Sequence, residues 1–272
     1  MSEWESSEGE HWADNADRYT RMLAGFGDIV TTTAACRPGE RVLDVGCGNG
    51  DVTLTAARAV GAGGWVHGVD LSPAMLAVAA TRADDEGFGN VSFEAADAGS
   101  FEPKVAQFDV VVSRFGVMFF DDPTAAFAHL RSLMVPGGRL VFVCWQDLFA
   151  NDWMIVPGAA VAEVLPLPVS DDPTAPGAFA FADPDRTAGI LTAAGFTNPS
   201  ASPATAELWM GDNAAEAAQF MRSTGLGRAV FADAPPELEA EAVARATAAL
   251  VPYESPSGVL IGGAAWLVAA SA

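Results

Sequence analysis

A glycine-rich run, Asp44-Val45-Gly46-Cys47-Gly48-Asn49-Gly50, follows a short apolar stretch at 41–45 and precedes a helical pattern at 52–60. Glycine at such a place lets the chain turn sharply and lets a ligand come close to the backbone. Two more acidic residues stand at comparable positions. Asp70 closes a second apolar stretch, 65–69, and Asp97 lies just past a third, 91–95. Open α/β sheets bind ligands outside the carboxyl ends of their strands. Asp70 can there accept hydrogen bonds from both hydroxyls of a ribose, and Asp97 can meet an adenine edge. The three positions describe an adenosine site laid across successive strand ends.

Two adenosine ligands compete for it. A nicotinamide dinucleotide, hence an NAD(P)-dependent oxidoreductase, calls for GxGxxG spacing and a pyrophosphate at a helix N-terminus. This chain has GxGxG, with Asp44 two residues before it, and the following helix opens on Asp51, which repels a pyrophosphate. S-adenosylmethionine (SAM) has no phosphate and a positive sulfonium, so an acidic loop suits it.

The elements that must hold these residues alternate. Strands are expected at 41–45, 65–69, 91–95, 108–113 and 139–144, with helices at 52–60, 73–86 and 123–134 between them. Ser72 is placed to cap the second helix and Pro73 to open it. Strands apolar on both faces that alternate with helices give a parallel, doubly wound sheet. Beyond it, helices are expected at 153–165, 183–194 (ending on Gly195), 214–226 and 236–250, and strands at 201–209 and 258–269, with a Pro- and Ala-rich loop at 166–182. No domain boundary is evident, and the extra helices read as a lid over one end of the sheet.

Composition excludes several functions. The net charge is −21, with 14 basic residues, which argues against binding nucleic acid or anionic membranes. The longest apolar run, 258–270, is too short for a membrane span. The first ten residues carry Glu3, Glu5, Glu8 and Glu10 and no basic residue, unlike a signal peptide, so a cytoplasmic location is expected. Cys36, Cys47 and Cys144, with His11, His67 and His129, form neither a metal nor a disulfide framework. Cys47 and Cys144 are expected to be buried thiols.

Residues 41–144 resemble the core of the class I SAM-dependent methyltransferases, in particular the ubiquinone/menaquinone-biosynthesis-like branch that acts on small molecules. The matching stretches are VLDVGCGNG (42–50), GVDLSPAML (68–76), FEAADA (93–98), FDVVVSRFGVMFF (108–120) and LMVPGGRLVFV (133–143). CWQDLFANDWM (144–154), FADPDR (181–186) and GAAWLVAA (263–270) also resemble actinobacterial-type members. The resemblance implies an α/β, doubly wound, Rossmann-like sheet of seven strands, mostly parallel with the last antiparallel, carrying helical lid insertions. It implies one domain over 1–272: an N-terminal lid segment at 1–36, a SAM-binding core at 37–145, and substrate-cap insertions at 146–182 and 210–255. It assigns Asp44, Gly46 and Gly48 to the methionine end of SAM, with Asn49 and Gly50 shaping the loop. Asp70 holds the ribose, Leu71 lies beside the adenine, and Ser72 and Met75 follow on the next turn, with Met75 on the adenine face. Asp97 and Ala98 face the adenine amine. Ser113, Arg114 and Phe115 pass under the methionine. Trp12 and Tyr19 belong to the segment that closes over SAM.

The expected function is methyl transfer to a small, apolar or aromatic acceptor, with O- or C-methylation favoured, in secondary metabolism or quinone-like biosynthesis. A SAM-binding domain with a regulatory or different SAM chemistry is the alternative. No convincing general base emerges. His129 is expected on a solvated helix face and His67 inside a strand, which leaves His11 and Tyr19 as weak candidates. Met118, Phe119, Trp145 and Trp153, with Trp12, are candidates to line an apolar acceptor pocket. The acceptor and the oligomeric state are not given by the sequence.

Overall fold

The computed structural model describes residues 3–103, 107–168, 172 and 174–272. Residues 1–2 of the expected N-terminal segment, and 169–171 and 173 of the expected insertion at 146–182, lie outside them. Three helices open the chain: α1 (Ser7–Asp14), α2 (Ala16–Met22) and α3 (Ala24–Ala34). The alternating part follows as β1 (Arg41–Val45), α4 (Asp51–Val60), β2 (Trp65–Asp70), α5 (Pro73–Asp85), β3 (Val91–Ala95), β4 (Phe108–Arg114), α6 (Pro123–Ser132) and β5 (Met134–Trp145). The second half comprises α7 (Asp152–Ala162), α8 (Pro184–Ala193), β6 (Thr197–Gly211), α9 (Ala214–Ser223), α10 (Gly225–Phe231), α11 (Pro236–Leu250), β7 (Glu254–Ser255) and β8 (Gly258–Ser271).

The strands form one sheet in the order β3-β2-β1-β4-β5-β8-β6, with β7 paired to β8. β1 to β5 pair in parallel, and β8 runs antiparallel between β5 and β6. The seven expected strands are all present. The eighth, β7, is two residues long, too short for any periodicity to signal. From β1 the chain winds outward through β2 to β3, then returns to lay β4 on the other side of β1. That reversal is the crevice where doubly wound sheets take ligands.

Burial explains why these segments are strands. Val42 and Leu43 of β1, Val110 and Val111 of β4 and Leu140 to Val143 of β5 are all buried, so both faces of the sheet are covered. On β5, Phe142 meets Phe127 of α6 with ring centroids 5.6 Å apart, while Trp145, three positions on, meets Phe26 of α3 at 5.2 Å. Successive side chains of a strand alternate faces, so α6 and α3 cover opposite sides. At the outer edge β6 carries Pro199 and Pro203, which discourage pairing with another chain.

Two expectations need correction. Helix 183–194 stands beside α6 and against β6, so it covers a sheet face and does not belong to a lid. The helix expected at 214–226 is two, α9 and α10. Thr224 is extended between them, and its hydroxyl accepts a hydrogen bond from the Gly227 amide. Gly225 and Gly227 weaken helix continuity there, and α10 buries none of its residues. No helix among the described residues is long and apolar enough to cross a membrane.

Asn151, fully buried, fastens the end of β5 to β8. Its Nδ2 donates to the carbonyls of Gln146 (3.3 Å) and Asp147 (3.0 Å), and its Oδ1 accepts from the Ala264 amide (2.9 Å) and the Trp153 indole (3.1 Å). Asn151→Ala leaves these buried groups without partners. Urea denaturation is expected to show a loss of about 2–4 kcal/mol; a loss under about half a kcal/mol would mean that water replaces the amide without cost.

Candidate functional site

At the end of β1 the chain turns through Gly46, Gly48 and Gly50, all at positive φ (65°, 55° and 84°). Space also requires glycine. A Cβ on Gly46 would lie 2.7 Å from the Gly116 Cα, so the loops after β1 and β4 touch backbone to backbone. Ser113 fixes that contact: its hydroxyl donates to the Val45 carbonyl (2.7 Å) and accepts from the Gly116 amide (3.1 Å). A Cβ on Gly48 would meet the Met75 methyl at 2.5 Å. Met75 therefore packs on the glycine loop, from a helix whose first turn Ser72 caps by accepting from the Met75 amide at 3.2 Å.

Asp70 links the two loops. One carboxylate oxygen accepts from the Gly48 amide and the other from the Ser72 amide, each at 2.8 Å. Burial nonetheless pushes its pKa up, against the opposing pull of those amides. Asp44, 1% exposed, lies at the floor. Its Oδ2 accepts from the Thr53 hydroxyl at 2.6 Å, and its Oδ1 has no hydrogen-bond partner. Burial raises Asp44 to about 7, with Asp70 and Asp51 adding to the rise and Thr53 and Arg114 opposing it.

Arg114 adds a partner to the charge argument. Its Nη1 lies 2.6 Å from Asp51 Oδ2 and also reaches the Leu23 carbonyl at 3.4 Å. Asp51 is thus paired, yet its charge still adds to the rise of Asp44. Asp44 and Asp70 add negative charge closer to the loop.

The N-terminal helices roof this region. Asn49 Nδ2 donates to the Ala16 carbonyl (2.9 Å) and the Thr20 hydroxyl (3.0 Å), tying the glycine loop to α2. Arg82 of α5 reaches Thr20 and Asp17. A Cβ on Gly9 would come within 2.3 Å of the Ser72 hydroxyl, so α1 lies directly on the start of α5. Glu8 accepts from the Trp12 indole at 3.1 Å and pairs with Arg228 of α10 at 2.5 Å. Arg18 pairs with Glu216 of α9 at 2.6 Å.

The expected pocket residues fall into two aromatic clusters. Trp12 stacks on Tyr19 (centroids 3.5 Å, 2° between planes), and Trp4 meets Trp12 and Phe119 edge-on at 5.7 and 5.0 Å. Separately, Trp145 stacks on Phe115 at 3.9 Å and touches Trp153 at 5.2 Å, with Phe26 edge-on to both Phe115 and Trp145. Met118 is buried beneath, its carbonyl accepting from the Gly177 amide.

A family model described as a methyltransferase domain matches residues 37–163. Residues 37–163, a little under half of the chain, are thus similar to a methyltransferase domain. Over 122 residues it is 38% identical to the aklanonic acid methyltransferase of Streptomyces sp. (strain C5), a match covering 45% of this chain and 52% of that protein. Over 170 residues it is 35% identical to the nocamycin O-methyltransferase of Saccharothrix syringae, covering 59% and 60%. The chain thus spans little more than half the length of these relatives. The crystal structure of the Bacillus subtilis YcgJ protein shares the fold, with a TM-score of 0.58 at 18% identity over 91% of this chain and 97% of that one.

Within this methyltransferase fold, Asp44, Gly46, Gly48, Asn49, Gly50, Asp70, Ser72 and Met75 come together as one contiguous surface. Leu71, half-buried, adjoins them. Ser113 stands below, its hydroxyl spent on the two loop backbones. Phe115 takes φ 64° and donates its amide to the Val143 carbonyl. Asp97 is exposed and caps its own turn, accepting from the Gly99 amide at 2.8 Å and the Ser100 hydroxyl at 3.2 Å, with Ala98 buried beside it. Cys47 and Cys144 are buried as expected. His129 departs from expectation: its Nε2 lies 2.8 Å from the Phe101 carbonyl and its ring meets Phe101 edge-on, so it is not freely solvated. Sequence reasoning missed Thr53, Thr20, Arg82, Trp4, Phe26 and Phe220. Gly9, within an otherwise side-chain-rich helix, was the one available signal of close packing.

A carboxyl raised to about 7 in the fold and near 4 unfolded destabilises the protein increasingly as pH rises between those values. Asp44→Asn is therefore expected to raise the melting temperature of the ligand-free protein at about pH 8, by ~2–4 °C per kcal/mol relieved, with the advantage shrinking toward pH 4. The same variant should bind S-adenosylhomocysteine at least tenfold more weakly. A variant less stable at every pH would show that the buried charge is not the source of strain.

Proposed function

We propose that this protein transfers a methyl group from SAM to a small, apolar or aromatic acceptor, on oxygen or carbon. The observation that carries the reading is the bare Oδ1 of buried Asp44 under the glycine loop. An acceptor atom without a donor in a dry site calls for a cationic ligand, and SAM bears both an ammonium and a sulfonium. A pyrophosphate would meet the same carboxylate as a repulsion. The two relatives named for aklanonic acid and nocamycin support a small-molecule acceptor.

In this reading Asp44, Gly46, Gly48, Asn49 and Gly50 hold the methionine end, above Ser113, Arg114 and Phe115. Asp70, Leu71, Ser72, Met75, Asp97 and Ala98 hold the adenosine. SAM, when bound, supplies an electrophilic methyl. The protein's task is to align the acceptor and exclude water. Residues 1–36 act as the lid, with Tyr19 and Trp12 closing over the site. Segments 146–182 and 210–255 cap the acceptor space, where Met118, Phe119, Trp145 and Trp153 provide apolar surface.

Calorimetric titration tests the cofactor. S-adenosylhomocysteine should bind with micromolar affinity while NAD and NADP do not. Its affinity should fall between about pH 8 and pH 6 as Asp44, at about 7, takes up a proton. Binding that is absent, or shared equally with NAD, would defeat the reading. Asn49→Ala, which loses both bonds to α2, should speed release of S-adenosylhomocysteine by roughly 5–30-fold, the equivalent of ~1–2 kcal/mol. An unchanged release rate in stopped-flow would remove the lid assignment.

A further inference from the structure

The chain has three histidines, and two are committed to structure. His67 stacks between Trp65 and Phe101, with Nδ1 2.8 Å from the Ser92 hydroxyl and Nε2 3.3 Å from Glu94. His129 bonds to a backbone carbonyl. His11 differs, because its Nε2 lies 3.2 Å from the hydroxyl of Tyr19, and its ring stacks on Phe220 of α9 at 6.1 Å. Tyr19 is held between Trp12 and Phe220. It directly precedes Thr20, whose hydroxyl accepts from Asn49 of the glycine loop.

Burial raises the Tyr19 hydroxyl far above the ordinary phenol value and lowers His11. The phenol therefore keeps its proton and the imidazole keeps a free lone pair. With its proton on Nδ1, His11 accepts from Tyr19 through Nε2. The Tyr19 oxygen still has lone pairs with which to accept from a third group.

We infer that Tyr19 and His11 form a proton relay for a flat acceptor bearing a weakly acidic hydroxyl, a phenol or an enol. This rests on the methyl-transfer reading above. The acceptor's O–H proton passes to the Tyr19 oxygen as the Tyr19 proton passes to His11 Nε2. The electron pair freed on the acceptor oxygen forms the new O–CH3 bond. The electrons of the broken C–S bond stay on sulfur, which leaves as a thioether. His11 ends as an imidazolium. Glu8 and Asp14 on its own helix favour that charge and Arg228 of α10 opposes it, while Arg18 of α2 faces Tyr19. Half-exposed, His11 then returns the proton to water. Trp4, Trp12 and Phe119 supply the flat apolar wall. Tyr19 is the catalytic residue in this scheme, and His11 is the positioning residue behind it.

Two measurements on the full chain test the relay. The first is the NMR titration of the His11 imidazole, assigned by its loss in His11→Gln. Tyr19→Phe removes a donor that favours the neutral ring, so the midpoint should move up by about half a unit or more. An unmoved midpoint overturns the pairing. The second is methyl uptake from SAM at about pH 8.5 by para-nitrophenol, largely ionised there, and by para-cresol, which is not. His11→Gln and Tyr19→Phe should each lower kcat on para-cresol by about a hundredfold, at least tenfold more than whatever loss the same variant shows on para-nitrophenol. Equal losses on both phenols, or none on either, overturn the relay. If the unaltered protein methylates neither phenol but still binds S-adenosylhomocysteine, the relay fails and the cofactor reading stands. If it does not bind S-adenosylhomocysteine, the methyl-transfer reading itself fails.

Discussion

A carboxylate deprived of water and only half satisfied governs the architecture around the strand ends. Asp44 sits under the glycine loop with Thr53 on one oxygen and nothing on the other. Burying such a group costs stability unless a partner arrives. The surroundings keep that demand local. Arg114 is drawn off to Asp51, so its charge reaches Asp44 only at a distance and no cation of the described residues bonds Asp44 Oδ1 directly. Ser113 and the Gly46–Gly116 approach close the floor beneath it. Asp70 turns the Gly48 and Ser72 amides toward itself and so sets the shape of both loops. The result is a surface whose chemistry is fixed by a deficit, and a ligand with fixed positive charge removes it.

The roof is built differently from the floor. α1 and α2 are joined to the rest by aromatic packing and by a series of polar contacts, from Asn49, Arg82, Glu8 and Arg18. Partly exposed ion pairs of this kind each contribute little. Their value is in direction: they reach the glycine loop, α5, α9 and α10 from one short segment, so its position reports on all four.

The parallel core was legible in the sequence because both its signals are local. Each strand is a continuous apolar run, and each loop carries glycine or a capping residue where the backbone requires it, as at Gly46 to Gly50 and Ser72-Pro73. The candidate cofactor residues follow from strand ends, which such patterns mark. The second half was less legible. β7 is a two-residue pairing, and the break at Thr224 depends on a side-chain cap rather than on composition. The role of α8 depended on whether it covers a face or an end of the sheet, which only tertiary contacts decide. His129 was misread for a related reason. It was judged by its own element, and it is controlled by a partner far away in sequence, the Phe101 carbonyl. The His11–Tyr19 bond bridges two helices across the kink at Asn15, where the helical wheel no longer applies.

The placement of β8 has a consequence for how the molecule is made. β8 pairs with β5 on one side and β6 on the other, yet it follows both in the chain. During synthesis β1 to β5 can assemble as they emerge, but β5 then presents an open hydrogen-bonding edge, and β6 has no strand to join. Neither is completed until residues 258–271 have left the ribosome. The nascent protein therefore passes through a stage with an apolar, unpaired strand at its margin, the situation in which partly folded chains associate or recruit chaperones. The sheet is sealed by a late insertion between two waiting neighbours rather than by growth at its rim.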